Sequence, residues 1–159
     1  MRRTQDEITD FAEKVDVLRR CDVIRLGMYG GDYPYVIPLF FGFEVLDEQV
    51  ILYFHSAKEG LKRDLLAFNN RVCVEGDLFH GYVGAGGSMT ADYESVLGFG
   101  IMSPVEGEAA LHGLALLMEH CGDKGYDPAT CSSLPHTQVY QIRLELLYGK
   151  RRFPSKARA

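Results

Sequence analysis

The chain has 159 residues, of which 47% are hydrophobic and 25% are charged, a composition typical of one globular domain with a hydrophobic core. Its formal net charge of −5 argues against a nucleic-acid partner, because phosphate contacts require an excess of Lys and Arg. The four cysteines are scattered without metal-ligand spacing, and no apolar run approaches the about 18 residues that span a membrane. With no recognisable signal peptide, we expect a cytoplasmic protein with free thiols, no metal site and no membrane partner.

A single domain is expected over residues 1–159, with flexible tails at 1–9 and 153–159. Its first helix is predicted because Asp10 and Glu13 suit a capping box and apolar residues follow at helical spacing. The predicted helices cover residues 10–21, residues 58–68, and a third segment opened by Pro104 and Glu106.

Six strands are predicted from runs of β-branched and aromatic residues. They cover residues 22–29, 35–45, 49–54, 72–77 (with an alternative end at 83), 94–103 and 140–146. Residues 84–88 and 122–135 are expected to be loops because they are rich in glycine and other turn residues. Pro38 lies inside the second strand, and because proline donates no ladder hydrogen bond it predicts a sheet edge, a bulge or a bent strand.

The short turns among the first three strands, together with the helices, favour an antiparallel β-barrel with helices attached to it. Residues 36–41 are apolar on both faces of their strand. Because a monomer rarely exposes so large an apolar surface, we expect a homodimer whose interface covers part of the sheet.

The junction between the third strand and the second helix is the candidate binding site. Ser56 and Glu59 have the spacing of a capping box, and Lys58 and Lys62 are four residues apart, hence on one face of a helix. A helix start with free N–H groups and nearby cations suits a phosphate, and His55 lies one residue before the predicted cap. The alternative interpretation is an ordinary helix cap with a solvated basic face.

Five segments occur in an informative order: CDVIRLG (21–27), PYVIPL (34–39), LYFHSA (52–57) with Gly60 and Lys62, YESVLGFG (93–100) and GKR (149–151). In this order they resemble the pyridoxamine 5'-phosphate oxidase-like flavin split-barrel proteins, and within them the 5-nitroimidazole-resistance (Nim-type) group. The resemblance implies a mainly β fold, a six-stranded antiparallel Greek-key split β-barrel with about three helices. It also implies a homodimer with FMN at the interface.

The same resemblance implies how the cofactor is held. Along the edge of the isoalloxazine ring it places the backbone of Pro38, Leu39 and Phe40. Around the phosphate it places Ser56, Ala57, Lys58 and Lys62, and from the partner subunit it brings Tyr93 and Ser95 to the flavin.

His55 is the implied catalytic residue and lies near the flavin in such proteins. An imidazole there would donate a hydrogen bond or a proton to a substrate oxygen, because it titrates near neutrality. The alternative is that His55 only packs over the ring or bonds a neighbouring carbonyl. The chain departs from the group at Phe40, where a polar residue, often asparagine, is common.

The leading functional hypothesis is an FMN-dependent oxidoreductase that takes electrons from a small-molecule donor and passes two to a small acceptor such as a nitroaromatic. The alternative is a flavin- or haem-binding carrier or sensor without turnover, with His80, His120 or His136 as a haem ligand. Oxidation of pyridoxamine phosphate is disfavoured because the chain is short and lacks a C-terminal substrate signature. His112 and His120 are otherwise expected at the surface of the third helix.

Overall fold

The computed structural model describes residues 4–85 and 87–152. Its helices are α1 (Phe11–Arg20), α2 (Leu61–Phe68) and α3 (Gly107–His120). Its strands are β1 (Glu7–Ile8), β2 (Ile24–Met28), β3 (Tyr35–Leu39), β4 (Gly42–Leu46), β5 (Gln49–Ala57), β6 (Arg71–Ala85), β7 (Ser88–Val105) and β8 (Thr137–Arg152). Three short 3₁₀ turns cover Thr4–Asp6, Pro128–Thr130 and Leu134–His136.

All neighbouring strands pair antiparallel, in the order β3-β2-β6-β7-β8-β5-β4, and β1 adds to β8. The strands at the two ends of this order, β3 and β4, are joined by Phe40 and Phe41 alone. So short a connection requires the sheet to curve until its ends meet, which makes the architecture a split barrel. The mainly β fold with three helices is therefore confirmed.

The predicted second strand, residues 35–45, is in fact two strands. Pro38 lies on β3, which is an edge of the sheet order, as one of the three readings of that proline predicted. The chain then turns inward at Phe41, which is fully buried, and enters β4 at Gly42. A Cβ at Gly42 would collide with the backbone of Leu116 and Leu117, so glycine allows α3 to pack directly on β4.

The core lies inside the barrel and under α1. Its largest fully buried side chains include Phe41, Phe54, Tyr140, Leu18 and Ile142. Each such side chain stabilises the fold by about 2 kcal/mol on burial. Helix α1 is held at its start by Asp10, whose Oδ1 accepts a hydrogen bond of 2.9 Å from the backbone N–H of Glu13.

Several element boundaries differ from the predicted ones. Strands β6 and β7 extend to Ala85 and from Ser88, so most of the expected loop at 84–88 is a hairpin, of which Gly86 lies outside the described residues. Helix α3 begins at Gly107 after Glu106, and Pro104 belongs to β7, where it pairs with Tyr140. Strand β8 extends well beyond the predicted 140–146.

The expected N-terminal tail contains ordered structure within its described part. Ile8 is buried, and β1 pairs with Gly149 and Lys150 of β8. Residues 1–3 and 153–159, the remainder of the expected tails, lie outside the described residues.

All four cysteines, each within the described residues, are free. In the described part of the chain, no helix combines the length and the apolar character needed to cross a membrane.

Candidate functional site at the junction of β5 and α2

Strand β5 brings the candidate site to the surface of the barrel. Its residues from Val50 to Phe54 are buried, whereas His55 is exposed and Ser56 is half-buried. The strand is held on both sides, by β4 and by β8, and His55 pairs with Val139. The side chain of His55 is thus presented from a rigid strand, two residues before that strand ends at Ala57.

The predicted capping box is wrong, and the reason is strand pairing. Ser56 and Ala57 still belong to β5, where they pair with Gln138 and Thr137, and the Ser56 hydroxyl donates to the carbonyl of Ala57 at 3.2 Å. Helix α2 begins three residues later than predicted, after Gly60, whose φ of +117° suits glycine.

The later start of α2 separates the two lysines. Lys62 lies in the first turn of the helix, whereas Lys58 precedes the helix, so they do not share a helical face. The ammonium of Lys58 donates to the backbone carbonyl of Pro135, in the segment that leads into β8. Since an ammonium has three donors, this bond leaves Lys58 able to contact an anion as well.

Lys62 is half-buried, and its ammonium lies over an aromatic ring. Its Nζ lies 5.3 Å from the centroid of the Phe54 ring, and that ring stacks on Tyr140 with centroids 5.3 Å apart. The aromatic face attracts the cation. Burial nevertheless lowers the pKa of Lys62, because the ammonium has lost part of its water.

His55 responds to the same environment. Partial shielding by the protein lowers the pKa of the imidazole even though the residue is exposed overall, and the positive charge of Lys62 lowers it further. A bound anion near Lys62 would oppose the latter effect, so the protonation of His55 would respond to such an anion.

Arg63 is a candidate anion contact that the sequence-based prediction did not include. Its Nη1 donates to the carbonyl of Lys58 at 3.2 Å, which closes the connection between β5 and α2. Its backbone N–H and that of Asp64 bond to the carbonyl of Gly60, so the amides of Leu61 and Lys62 come first at the positive end of the helix. The run of cations at 58, 62 and 63 is the sequence signal that could have identified it.

The three residues implied along the isoalloxazine edge lie close to this junction. Gly42 pairs with Tyr53, so the connection that contains Phe40 leads back toward the part of β5 that contains His55. Leu39 is half-buried, and the side chains of Pro38 and Phe40 are exposed, Phe40 at 64%. The structure thus brings the 38–40 segment and the His55 junction to the same part of one chain.

Tyr93 and Ser95, by contrast, lie at the other end of the molecule. Ser95 pairs with Lys150 of β8, while His55 pairs with Val139 of the same strand. Eleven residues of strand separate these positions, about 35 Å at 3.3 Å per residue. Within one chain these two residues are therefore not part of the junction, and a contribution from them requires a second copy.

The histidines considered as haem ligands have other partners. Nε2 of His80 is 2.9 Å from a carboxylate oxygen of Glu94, and Nε2 of His120 donates to the carbonyl of Cys21 at 2.9 Å. The surface position expected for His120 is wrong, because its ring is half-buried and packs 4.4 Å from the ring of Phe41. His136 is exposed.

His112 is exposed, as expected, but it belongs to a hydrogen-bonded cluster with Glu44 of β4 and Tyr53 of β5. Its Nε2 is 3.0 Å from one carboxylate oxygen of Glu44, and the Tyr53 hydroxyl donates to the other at 2.7 Å. Burial and the Glu44 bond raise the pKa of Tyr53 to about 12. This cluster fixes α3 on the sheet and lies on the strand that carries His55.

In its chemistry, the junction offers a partly desolvated ammonium, a guanidinium, a helix start and an imidazole within one short segment. Cations and helix N–H groups suit a phosphate, and the imidazole suits proton donation. Beside them, the exposed 38–40 segment offers apolar surface and free backbone at a sheet edge.

Several solved structures resemble this one over most of its length. A protein from Bacteroides thetaiotaomicron, provisionally described as a 5-nitroimidazole antibiotic resistance protein, is 29% identical with a TM-score of 0.78, and the match covers 91% of this chain and 85% of that one. The flavocytochrome Anf3 from Azotobacter vinelandii is 19% identical with a TM-score of 0.78, over 93% and 70% of the two chains. An FAD-binding protein from Mesorhizobium loti is 20% identical with a TM-score of 0.66, over 92% and 96%.

The flavocytochrome and the FAD-binding protein are too distant in sequence to indicate more than a shared fold. No curated protein sequence matches the chain. The family model described as pyridoxamine 5'-phosphate oxidase, however, matches residues 10–151. That span includes the β5–α2 junction and every strand from β2 to β7, and on this ground the chain belongs to the pyridoxamine 5'-phosphate oxidase family.

Proposed function

We propose that this protein is an FMN-dependent oxidoreductase that works as a homodimer and reduces a small acceptor, such as a nitroaromatic, by two-electron transfer. The observation that carries the proposal is the β5–α2 junction, where the half-buried ammonium of Lys62 acts electrostatically on the imidazole of His55. An anion site and a proton donor thus lie in one short segment.

The residues of the junction fit an FMN phosphate. Burial lowers the pKa of Lys62, so a phosphate dianion would supply the counter-charge that the ammonium lacks. Arg63 and the start of α2 add positive potential on the same side of the junction. Ser56 contributes a hydroxyl and Lys58 its remaining ammonium donors.

The flavin ring would lie along the edge segment of Pro38, Leu39 and Phe40. The backbone there belongs to an edge strand and its end, so its polar groups are accessible to a ligand. FMN, when bound, supplies the two-electron redox chemistry, and the chain supplies placement and electrostatics.

His55 would serve as the proton donor to the acceptor. A proton from one ring nitrogen would pass to an acceptor oxygen as negative charge develops on it. The lowered pKa of His55 makes its imidazolium a stronger acid, and a phosphate beside Lys62 would restore part of the lost basicity. The acceptor class is supported by the likeness to the Bacteroides thetaiotaomicron protein.

The homodimer is supported by exposed apolar residues on the outside of the sheet, which surround the ion pair of Arg25 and Glu75. Two rows of paired residues cross five strands on this outer face: Leu146, Phe99, Cys73, Gly27 and Val36, then Tyr148, Leu97, Glu75, Arg25 and Pro38. Among these, Val36 is 59% exposed and Leu146 is 51% exposed. So much exposed apolar surface on a regular sheet is typical of an interface.

Absorbance of the purified protein after incubation with FMN tests the proposal. We expect the two blue-region bands of a bound flavin, reduction under anaerobic conditions, and reoxidation when a nitroimidazole is added. A Soret band instead would identify a haem protein, and flavin uptake without reoxidation would identify a carrier or sensor. A colourless protein that takes up no FMN would contradict the proposal outright.

A further inference from the structure

A cavity lies beside the β5–α2 junction, between the sheet and the start of α3. Its volume is about 260 Å³, and its walls come from the end of β7, the first turns of α3, the start of β8 and Lys58. Pockets that hold drug-sized ligands usually measure about 300–1,000 Å³, so this cavity suits a molecule the size of one substituted ring.

Strand register places His55 next to this cavity. His55 pairs with Val139, and Val139 pairs in turn with Val105, so the three side chains form one row on the same face of the sheet. Val139 and Val105 line the cavity. Because neighbouring strands lie about 4.8 Å apart, the imidazole of His55 is the next side chain along this row from the cavity wall.

The sequence of α3 leaves the space that makes the cavity. Gly107, Ala110 and Leu111 have the i, i+3, i+4 spacing of one helical face, and all three line the cavity. Because the first two have no side chain larger than a methyl group, the helix does not fill the gap between itself and β8. Leu134, from the 3₁₀ turn before β8, adds a further apolar side chain, so the cavity is lined mainly by apolar groups.

Two charged side chains lie at different ends of the cavity. Lys58 comes directly after Ala57, which pairs with Thr137 of β8. Glu106 comes directly after Val105, at the end of β7. Strand β8 lies between β5 and β7, so the two charged positions are two strand spacings, about 10 Å, apart. A single negative charge is therefore favoured at the Lys58 end, and Glu106 disfavours a second one.

Hydrogen bonds hold this part of the cavity wall in place. The ammonium of Lys58 donates to the carbonyl of Pro135, which keeps the side chain at the cavity and leaves two N–H donors for a ligand. Nε2 of Gln138 donates to the carbonyls of Val105 and Val139, each at 3.0 Å. The start of β8 is thus tied to the end of β7, which makes the wall rigid.

Lys58 and His55 are spaced to hold the two ends of one small molecule. Lys58 lies three residues beyond His55, about 10 Å along the chain at 3.3 Å per residue. A single ring with substituents on opposite sides, such as 4-nitrobenzoate, reaches from one side chain to the other.

We propose that this cavity binds the acceptor and selects small planar acceptors that carry one carboxylate, which Lys58 holds while the reducible group faces His55. The cavity and its charges are features of the fold alone, whereas their use by an acceptor rests on the proposed function.

Benzoate binding to the protein without FMN tests the site itself. We expect saturable NMR shifts of the cavity amides, including Gly107 and Val139, and about fivefold weaker binding of benzamide, the neutral isostere. Lys58→Met, at an exposed position, should remove this difference. Shifts that do not saturate, equal wild-type affinities for the two compounds, or a difference that survives in Lys58→Met would overturn the site.

Leu111→Trp, with Ala109→Trp as its matched control, tests the location. Leu111 lines the cavity, whereas Ala109 is exposed on the same helix. Benzoate affinity should fall at least fivefold in the first variant and change less than twofold in the control. Equal affinities in the two variants would place benzoate elsewhere and overturn the proposal. If Leu111→Trp does not fold, the positions of the wild-type shifts decide the location: shifts confined to residues outside the cavity overturn it.

Reoxidation of the reduced, FMN-saturated protein tests the use of the cavity by an acceptor. The KM for 4-nitrobenzoate should be about fivefold lower than that for 4-nitrobenzamide, and Lys58→Met should bring the two values together. Equal KM values in the wild type would overturn the assignment of the acceptor to this cavity and leave the FMN-dependent function intact. Benzoate binding in the cavity of a protein that takes up no FMN would refute the proposed function and leave the site intact.

Discussion

Replacing Lys62 by methionine should weaken FMN binding by about 1.5–3 kcal/mol, the range for a lost charge-assisted hydrogen bond, or roughly 10- to 150-fold in Kd. We expect the upper part of this range because the ammonium is half-buried and its pKa is already lowered by burial. Methionine keeps an unbranched stem over the Phe54 ring, so the fold should lose no more than the about 0.5–1 kcal/mol of a cation–π contact. Fluorescence titration of FMN gives the affinity.

Lys58→Met is the matched control, because Lys58 is an exposed cation four residues before Lys62. Its ammonium bonds the carbonyl of Pro135, so we expect a loss of less than about 1 kcal/mol in FMN affinity. The same Lys62 variant should raise the pKa of His55, since the charge of Lys62 is one cause of its depression, and NMR titration of the imidazole measures this. Wild-type FMN affinity in the Lys62 variant, or losses equal to those of the Lys58 variant, would refute the assignment of Lys62 to the phosphate.

Four further outcomes are expected. His55→Gln should retain FMN but slow single-turnover nitro-reduction about 100-fold. The wild-type rate should fall as pH rises through the pKa of His55, which burial and Lys62 hold below the usual value of a histidine. A pH-independent wild-type rate would make His55 a packing residue. Glu94→Gln should cost about 3 kcal/mol in urea unfolding at pH 7, and the difference should shrink as pH falls below about 4, because the pKa of Glu94 is depressed mainly by Arg20 and its stabilising charge is lost only in acid; an equal difference at low pH would contradict this. Tyr53→Phe should cost about 1–2 kcal/mol at neutral pH and should abolish a loss of wild-type stability between pH 10 and about 12, where the unfolded tyrosine ionises first. Iodoacetamide at pH 7 should alkylate Cys131 ahead of the other thiols, because a hydrogen bond from Ser133 lowers the pKa of Cys131 to about 7; peptide mass spectrometry would contradict this by finding another cysteine labelled first.

Sequence patterns predicted those elements whose structure is decided by residues close together in the chain. The Asp10 cap and the alternation of β8 were readable because one hydrogen bond and one buried face decide them. The candidate site was located in the same way, because His55 follows a buried run of β5. The cofactor contacts that the resemblance implies stay predictions, since no spacing in the chain defines them.

The capping box at Ser56 and Glu59 shows where local pattern fails. The motif was present, but Gln138 and Thr137, about eighty residues away in the chain, hold Ser56 and Ala57 in the sheet. Strand pairing satisfies the backbone groups that the cap would have satisfied, so the helix begins only after Gly60. The same kind of long-range contact divided the predicted second strand, where burial of Phe41 overrode a continuous apolar run.

The cluster around Glu94 was beyond sequence reasoning for a related reason. Its partners Arg20, His80 and Arg151 come from three distant segments, and no spacing links them. A carboxylate this well buried is stable only when all its partners are present, since an unpaired buried charge is strongly destabilising. Glu94 lies where the hairpin of β6 and β7 leaves the sheet, so the contacts of α1 and β8 with this carboxylate fix the direction of the hairpin. The placement of that hairpin therefore depends on the polar contact that is hardest to infer from the sequence.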